Sequence, residues 1–325
     1  MPKVSLVVCL YRERDFLARL LAEAKGLFDD LVVVHDGPET GTAELSTPAS
    51  QTLAAVDYST HGPGADLPPG YREPHESPPV GSVAALVHQH HGSARFFEGP
   101  RCLQQEPHWP FAWSRACHDW ILRLDADEFP SPSLKEWLRD FRTAPEPADN
   151  IAGYTCIWPL WNGKKTVTQQ WPGGRIFLIH RKRVRFFGMV EQVPVPDGKF
   201  VALPLRLCHE PRRKSYGMRN ILWRKQGGLW RRVIAESLLR TPEALPSWRW
   251  EGRPWPILWE RLRTRPVRAG LYFFVRGFIS TLRDQWRFER TFMPAMAAAT
   301  PLHHLMIALL LRRLRKMQSG GVTKA

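Results

Sequence analysis

The sequence predicts an α/β fold, a mixed and mostly parallel sheet flanked by helices over residues 1–210, with a basic helical extension over residues 211–325. Three observations carry this expectation. The run from Val4 to Leu10 is apolar and of strand length, DFLARLLAEAKGLF then places Phe16, Leu17, Leu20, Leu21 and Leu27 at helical spacing, and LVVVHDG, residues 31–37, is a second apolar run. Strands that are apolar on both faces and separated by a helix belong to a parallel sheet covered on both sides.

The elements follow in order. In MPKVSLVVCLYRERD the apolar run meets charge at once with no small-residue cleavage site, so a first strand is expected and a signal peptide is not. Ligands of such sheets bind beyond the C-terminal strand ends, which places Tyr11, Arg12, Glu13 and Asp36 on one rim. The stretch STHGPGADLPPGYREPHESPPVG, residues 59–81, is rich in Pro, Gly and His and reads as a long loop. Its irregularly spaced histidines fit a solvated loop better than a metal site.

A third strand, ILRLDADE, brings Asp125, Asp127 and Glu128 to the same rim. Side chains alternate along extended backbone, so Asp125 and Asp127 are expected to share one side while Leu124 and Ala126 take the other. Two neighbouring carboxylates destabilise each other unless a proton is shared, a base intervenes or a cation bridges them; hard oxygen ligands suit Mg²⁺ or Mn²⁺. The same residues also read as an acidic turn before the helix LKEWLRDF, with Ser131 and Ser133 as caps.

Composition narrows the partners. The 325 residues are 43% hydrophobic and 24% charged, which excludes a disordered chain. With 46 Lys and Arg against 31 Asp and Glu, the formal charge of +15 points to an anionic partner: nucleotide phosphates, nucleic acid or an anionic membrane. Cys9, Cys102, Cys117, Cys156 and Cys208 show no metal-type spacing and mostly sit in apolar runs, as free thiols do in a reducing cytosol.

The succession VSLVVCLYRERDFLARLL, LVVVHDGPETGT and WILRLDADE resembles the family 2 inverting glycosyltransferases, which have the Rossmann-like GT-A fold, and is most similar to their lipopolysaccharide-core subgroup. DADE stands as the family's Asp-x-Asp motif. Arg12 stands where Asn is usual, and His35, Pro38 and Thr40 replace Asp, Ser and Asp, leaving Asp36 as the acid of the second turn. GGRIFLIHRKRVRFFGMVEQVPVPDGKFVALPLRLCHEP resembles the acceptor half, with Glu191 and Gln192 in place of the His-Glu step and His209 as the terminal histidine.

The resemblance implies a nucleotide-sugar donor, a UDP- or GDP-sugar, contacted by Tyr11, Glu13, Asp36 and Asp125. It implies Mn²⁺ or Mg²⁺ on Asp125, Asp127 and His209, and Glu191 as the base that takes the proton of the attacking hydroxyl. It also implies inversion at the anomeric carbon and a role in bacterial cell-surface polysaccharide or lipopolysaccharide synthesis. Rival readings are a nucleotidyltransferase, which LYRERD does not favour because it lacks a Gly-rich phosphate loop, and a non-catalytic basic membrane- or nucleic-acid-binding protein. Against the latter stands the concentration of acids on one rim.

From Arg212 onward Arg and Trp alternate without an acidic cluster. At about 100° per residue, Arg268, Arg276, Arg283, Arg287 and Arg290 share one helix face, and Leu271, Phe274, Val275, Phe278 and Leu282 the adjacent one. PLHHLMIALLLRRLRK, residues 301–316, repeats the theme but falls short of the ~20 apolar residues a bilayer span needs. Such helices suit the plane of a membrane interface. The expected location is therefore cytoplasmic, peripheral on the inner face of the plasma membrane, with a glycan or lipid-linked acceptor and no nucleic acid.

Overall fold

The computed structural model describes residues 1–39, 64, 66–74, 78–102, 104–161, 166–169, 174–186, 194–210, 228–239, 261–262, 264–286, 292 and 294–321. β1 (Val4–Leu10), α1 (Arg14–Glu23), β2 (Asp30–Asp36), α2 (Val83–His90) and β3 (Arg95–Gly99) open the chain, followed by α3 (Trp109–Arg115) and β4 (Trp120–Arg123). These four strands run parallel, with β1 between β2 and β4. Next come β5 (Glu128–Pro130), α4 (Pro132–Thr143), β6 (Ile151–Ile157), β7 (Pro159–Trp161), β8 (Thr166–Gln169), β9 (Arg175–His180), β10 (Val184–Arg185), β11 (Val195–Pro196) and β12 (Lys199–His209).

One eight-stranded mixed sheet has the order β3-β2-β1-β4-β9-β6-β12-β5, and β7 with β8 and β10 with β11 make two small ribbons. β9 enters antiparallel between β4 and β6, β6 and β12 are parallel, and β5 closes the edge antiparallel to β12. The chain fills the sheet outward from β1 in one direction and then continues from β4 in the other. That reversal falls at the C-terminal ends of β1 and β4, where ligands of open α/β sheets bind.

The apolar strands are explained by cover on both faces. Val4, Leu6, Val8 and Leu10 of β1 pack with Leu17, Leu20 and Leu21 of α1, with α2 and with Leu134 and Leu138 of α4. Val7 and Cys9 point the other way, onto Phe111, Ala112 and Trp113 of α3. Each fully buried Leu or Val contributes roughly 1.5–3 kcal/mol, so the alternation fixes which side of β1 each helix covers. Ser131 caps α4 by accepting from the Leu134 amide. Cys9, Cys102 and Cys156 are buried, Cys117 is exposed, and all five cysteines are free thiols.

Two expectations are corrected. The ILRLDADE segment is not one strand: β4 stops at Arg123, and residues 125–128 form a turn closed by the Glu128 amide on the Asp125 carbonyl at 3.0 Å. Extended alternation therefore does not place Asp125 and Asp127. The first helix ends at Glu23, and Leu27 is buried beyond it in the turn leading to β2.

Among the described residues three further helices follow, α5 (Gly228–Leu239), α6 (Pro266–Asp284) and α7 (Pro294–Gly321), with both α5 and α6 packed on α7. α6 and α7 lie antiparallel and close: a Cβ added to Gly270 would meet Ala308 Cβ at 2.7 Å, and one on Gly277 would meet Pro301 Cγ at 3.1 Å. No helix among the described residues is long and apolar enough to cross a membrane.

The outer face of α6 differs from the expected pair of adjacent faces. Leu271, Tyr272, Val275 and Ile279 are exposed together with Arg268, Arg276 and Arg283 on one mixed face, while Phe274 and Phe278 are partly buried and stacked on each other. Arg287 and Arg290 lie outside the described residues.

Candidate functional site at the β1 and β4 strand ends

Beyond β4 the 125–128 turn carries the three acids, and each finds a different environment. Arg175, the first residue of β9, reaches Asp125 Oδ1 at 2.9 Å and Glu128 Oε1 at 3.0 Å. These are charge contacts more than aligned hydrogen bonds, since those oxygens and Arg175 Nε have no partner of hydrogen-bond geometry among the described residues; the aligned bonds are Arg175 Nη2 to Glu128 Oε2 at 3.3 Å and the Asp125 amide to the same oxygen at 2.9 Å. Glu128 is completely buried, and that burial pushes its carboxyl above the usual carboxylate range while Arg175 opposes the rise.

Asp127 turns the other way, toward the end of β12. Its Oδ2 is 3.4 Å from His209 Nε2, and its carbonyl accepts the Glu210 amide at 2.9 Å. Burial alone would raise the Asp127 pKa and lower that of His209. The bond and charge between them win, holding Asp127 below and His209 above their ordinary values. The His209 ring lies 4.7 Å from that of Trp158, and the Trp158 ring also carries the Arg175 guanidinium at 4.9 Å.

The pair of Asp127 with His209 has the donor set for a divalent cation, one carboxylate oxygen and one imidazole nitrogen already adjacent. Asp125 does not complete a third ligand: the only trio of ligand atoms mutually within 4.8 Å among the described residues is Asp36, Cys102 and His108. The acids that the sequence places together are thus divided, Asp125 to Arg175 and Asp127 to His209.

The β1 and β2 ends form the neighbouring wall. Asp36 is buried, with Arg101 Nη1 on Oδ2 at 2.5 Å, and with the Cys102 amide at 2.5 Å and His108 Nε2 at 3.1 Å on Oδ1. Tyr71 contacts His108 Nδ1 at 3.0 Å through its hydroxyl. Burial disfavours the His108 cation, but the Cys102 sulfur and the Asp36 carboxylate beside it raise its pKa from 6.5 to about 10. The trio therefore reads as a charge network already filled by protons and Arg101.

Tyr11, half-buried, carries the Arg101 guanidinium 3.2 Å above its ring. Arg12 holds a left-handed φ of 54°, rare outside glycine, with its amide 3.3 Å from His35 Nε2. Glu13 is half-buried at the N-cap of α1. Glu191 and Gln192 lie outside the described residues.

Sequence reasoning missed Arg123, Arg175, Arg101, His108 and Trp158. For the first two a signal existed: each is a lone charge in an otherwise apolar strand, WILR and RIFLIH, and charged residues are almost never fully buried without a reason. No model of a known protein family matches this chain, and no curated protein matches it.

Proposed function

We propose that the chain is a nucleotide-sugar-dependent glycosyltransferase of GT-A type, assisted by Mn²⁺ or Mg²⁺, that moves a sugar with inversion to a glycan or lipid-linked acceptor. The observation that supports it most is the acid turn beyond β4, at the sheet's reversal point, with Asp127 facing His209 at 3.4 Å. An acid beside an imidazole at that point suits a cation carrying a diphosphate.

Asp127 and His209 would hold the cation, which supplies charge to neutralise the leaving diphosphate. Asp125, which pairs with Arg175, would contact the ribose or a metal-bound water. Tyr11 and Glu13 would contact the nucleoside. Asp36 is committed to Arg101, Cys102 and His108, so its part is to order that wall rather than to receive the ribose. The base for the acceptor hydroxyl is assigned to Glu191 on the resemblance alone; of the other acids near β12, Glu210 is tied to Arg19 at 2.7 Å.

The exposed face of α6, mixing Arg268, Arg276 and Arg283 with Leu271, Tyr272, Val275 and Ile279, supports a peripheral site on the anionic inner leaflet of the plasma membrane. The test of the activity is a donor-hydrolysis screen of UDP- and GDP-sugars with and without Mn²⁺. Cation-dependent release of UDP or GDP from one donor is expected, and silence across the screen, with stabilisation by oligonucleotides instead, would overturn the reading.

A further inference from the structure

Arg123 ends β4 on the sheet face covered by α3. It is 3% exposed, lies over the Trp109 ring at 3.8 Å, and its Nε and Nη1 are buried with no hydrogen-bond partner among the described residues. Arg181 and Arg183 look different. Arg181 binds Asp119 and the Trp113 and Ala116 carbonyls, and Arg183 binds the Ala148 and Ile151 carbonyls and Asp149. A guanidinium that only served packing would be satisfied in the same way, because a buried unpaired donor on a charged group is strongly destabilising.

We infer that Arg123 is the built-in counter-charge for an oxyanion of the phosphate class that enters at the acid turn between β1 and β4. Arg123 feels the charges of Asp125, Glu128 and Glu106 without a hydrogen bond to any of them. Arg175, the other cation of the cluster, is already spent on Asp125 and Glu128. Burial first, and the Arg175 charge second, lower the Arg123 pKa to about 9.

The planar fork of a guanidinium matches two oxygens of one phosphate, and the aromatic face of Trp109 keeps the plane in place. Trp158 Nε1, beside Arg175 and His209, is likewise buried without a partner among the described residues. The phosphate class rests on the donor reading above, and the binding of an oxyanion does not.

The test uses inorganic pyrophosphate, which has neither sugar nor base, titrated calorimetrically into the full chain in EDTA. Wild type should bind it, Arg123→Met should bind about 10- to 100-fold more weakly, and Arg123→Lys should fall between them. Because the apolar variant removes an uncompensated buried charge, its melting temperature should equal or exceed that of wild type. A lower melting temperature in Arg123→Met would make Arg123 structural and overturn the inference, as would unchanged affinity in that variant or no binding by wild type. A failed sugar-donor screen with Arg123-dependent pyrophosphate binding would overturn the glycosyltransferase reading alone.

Discussion

His209 Nε2 stands 3.4 Å from Asp127 Oδ2, joining the end of β12 to the turn after β4 across 82 residues of sequence (209 − 127 = 82). The register explains the meeting: β5 lies antiparallel to β12 with His209 opposite Glu128, so Asp127, one residue earlier, faces the histidine. If the two share a cation in function, His209→Ala should raise the Mn²⁺ concentration for half-maximal donor hydrolysis by about 10- to 100-fold while leaving the fold intact. An unchanged Mn²⁺ requirement would remove His209 from the site.

Arg175→Met should be costly for a different reason. It removes the cation shared by Asp125 and the fully buried Glu128; breaking a buried pair on one side costs up to ~3–5 kcal/mol, less what Glu128, its pKa already raised by burial, recovers by taking up a proton. Adding Glu128→Gln should recover part of the loss. Urea denaturation at pH 7 of both variants checks this, and a double variant no more stable than the single one would show that Glu128 is not the stranded charge.

His108 gives the protein a stability term with a definite sign in pH. Its folded pKa is raised to about 10 from an unfolded value near 6.5, so the term is fully present below about pH 6.5 and is lost as pH rises through 10. Wild type should therefore lose urea resistance between pH 6.5 and 10 more steeply than His108→Gln, which cannot titrate. Parallel profiles for the two proteins would contradict the charged network around Asp36.

Gly99 tests the same wall sterically. A Cβ there would sit 2.8 Å from His108 Cε1 and 3.0 Å from Tyr71 Cε1, both in buried rings. Gly99→Ala should cost ~1–3 kcal/mol. A variant as stable as wild type in thermal melts would mean that the two rings can shift.

The outer face of α6 should bind anionic vesicles through residues that differ from a simple wheel reading. Replacing Leu271, Val275 and Ile279 by Ser should release the protein from phosphatidylserine vesicles, and Arg268, Arg276 and Arg283 to Gln should weaken binding by about 1 kcal/mol per charge at low salt. Phe274 and Phe278, partly buried, should affect helix packing instead. Equal co-sedimentation of wild type and the triple Ser variant would exclude this face as the contact.

How far the sequence was legible follows from the range of each interaction. β1, β2 and α1 were readable because local apolar runs and helical spacing are themselves the cause of their burial. The rim position of Asp36 and the acids after β4 followed from where those strands end. What was not readable depended on distant partners: Arg175, fifty residues beyond Asp125 (175 − 125 = 50), decides which way that acid faces. Likewise Arg101 and His108 decide that Asp36 is an interior charge. The face of α6 was misread because α7 selects the buried side through Gly270 and Gly277, and a hydrophobic wheel weighs size without knowing which neighbour needs small residues.

The central claim is that the acid turn exists for a cation and a diphosphate, and one measurement addresses it most directly: donor hydrolysis by wild type and Asp127→Asn across a Mn²⁺ titration. Wild type should require the cation, and the variant, which keeps the side chain's shape but removes the charge facing His209, should lose nearly all activity and its saturating response to Mn²⁺. Hydrolysis by wild type that is indifferent to Mn²⁺ and EDTA, or an Asp127→Asn enzyme with the wild-type Mn²⁺ curve, would contradict the account and leave residues 125–128 as a turn that merely leads into α4.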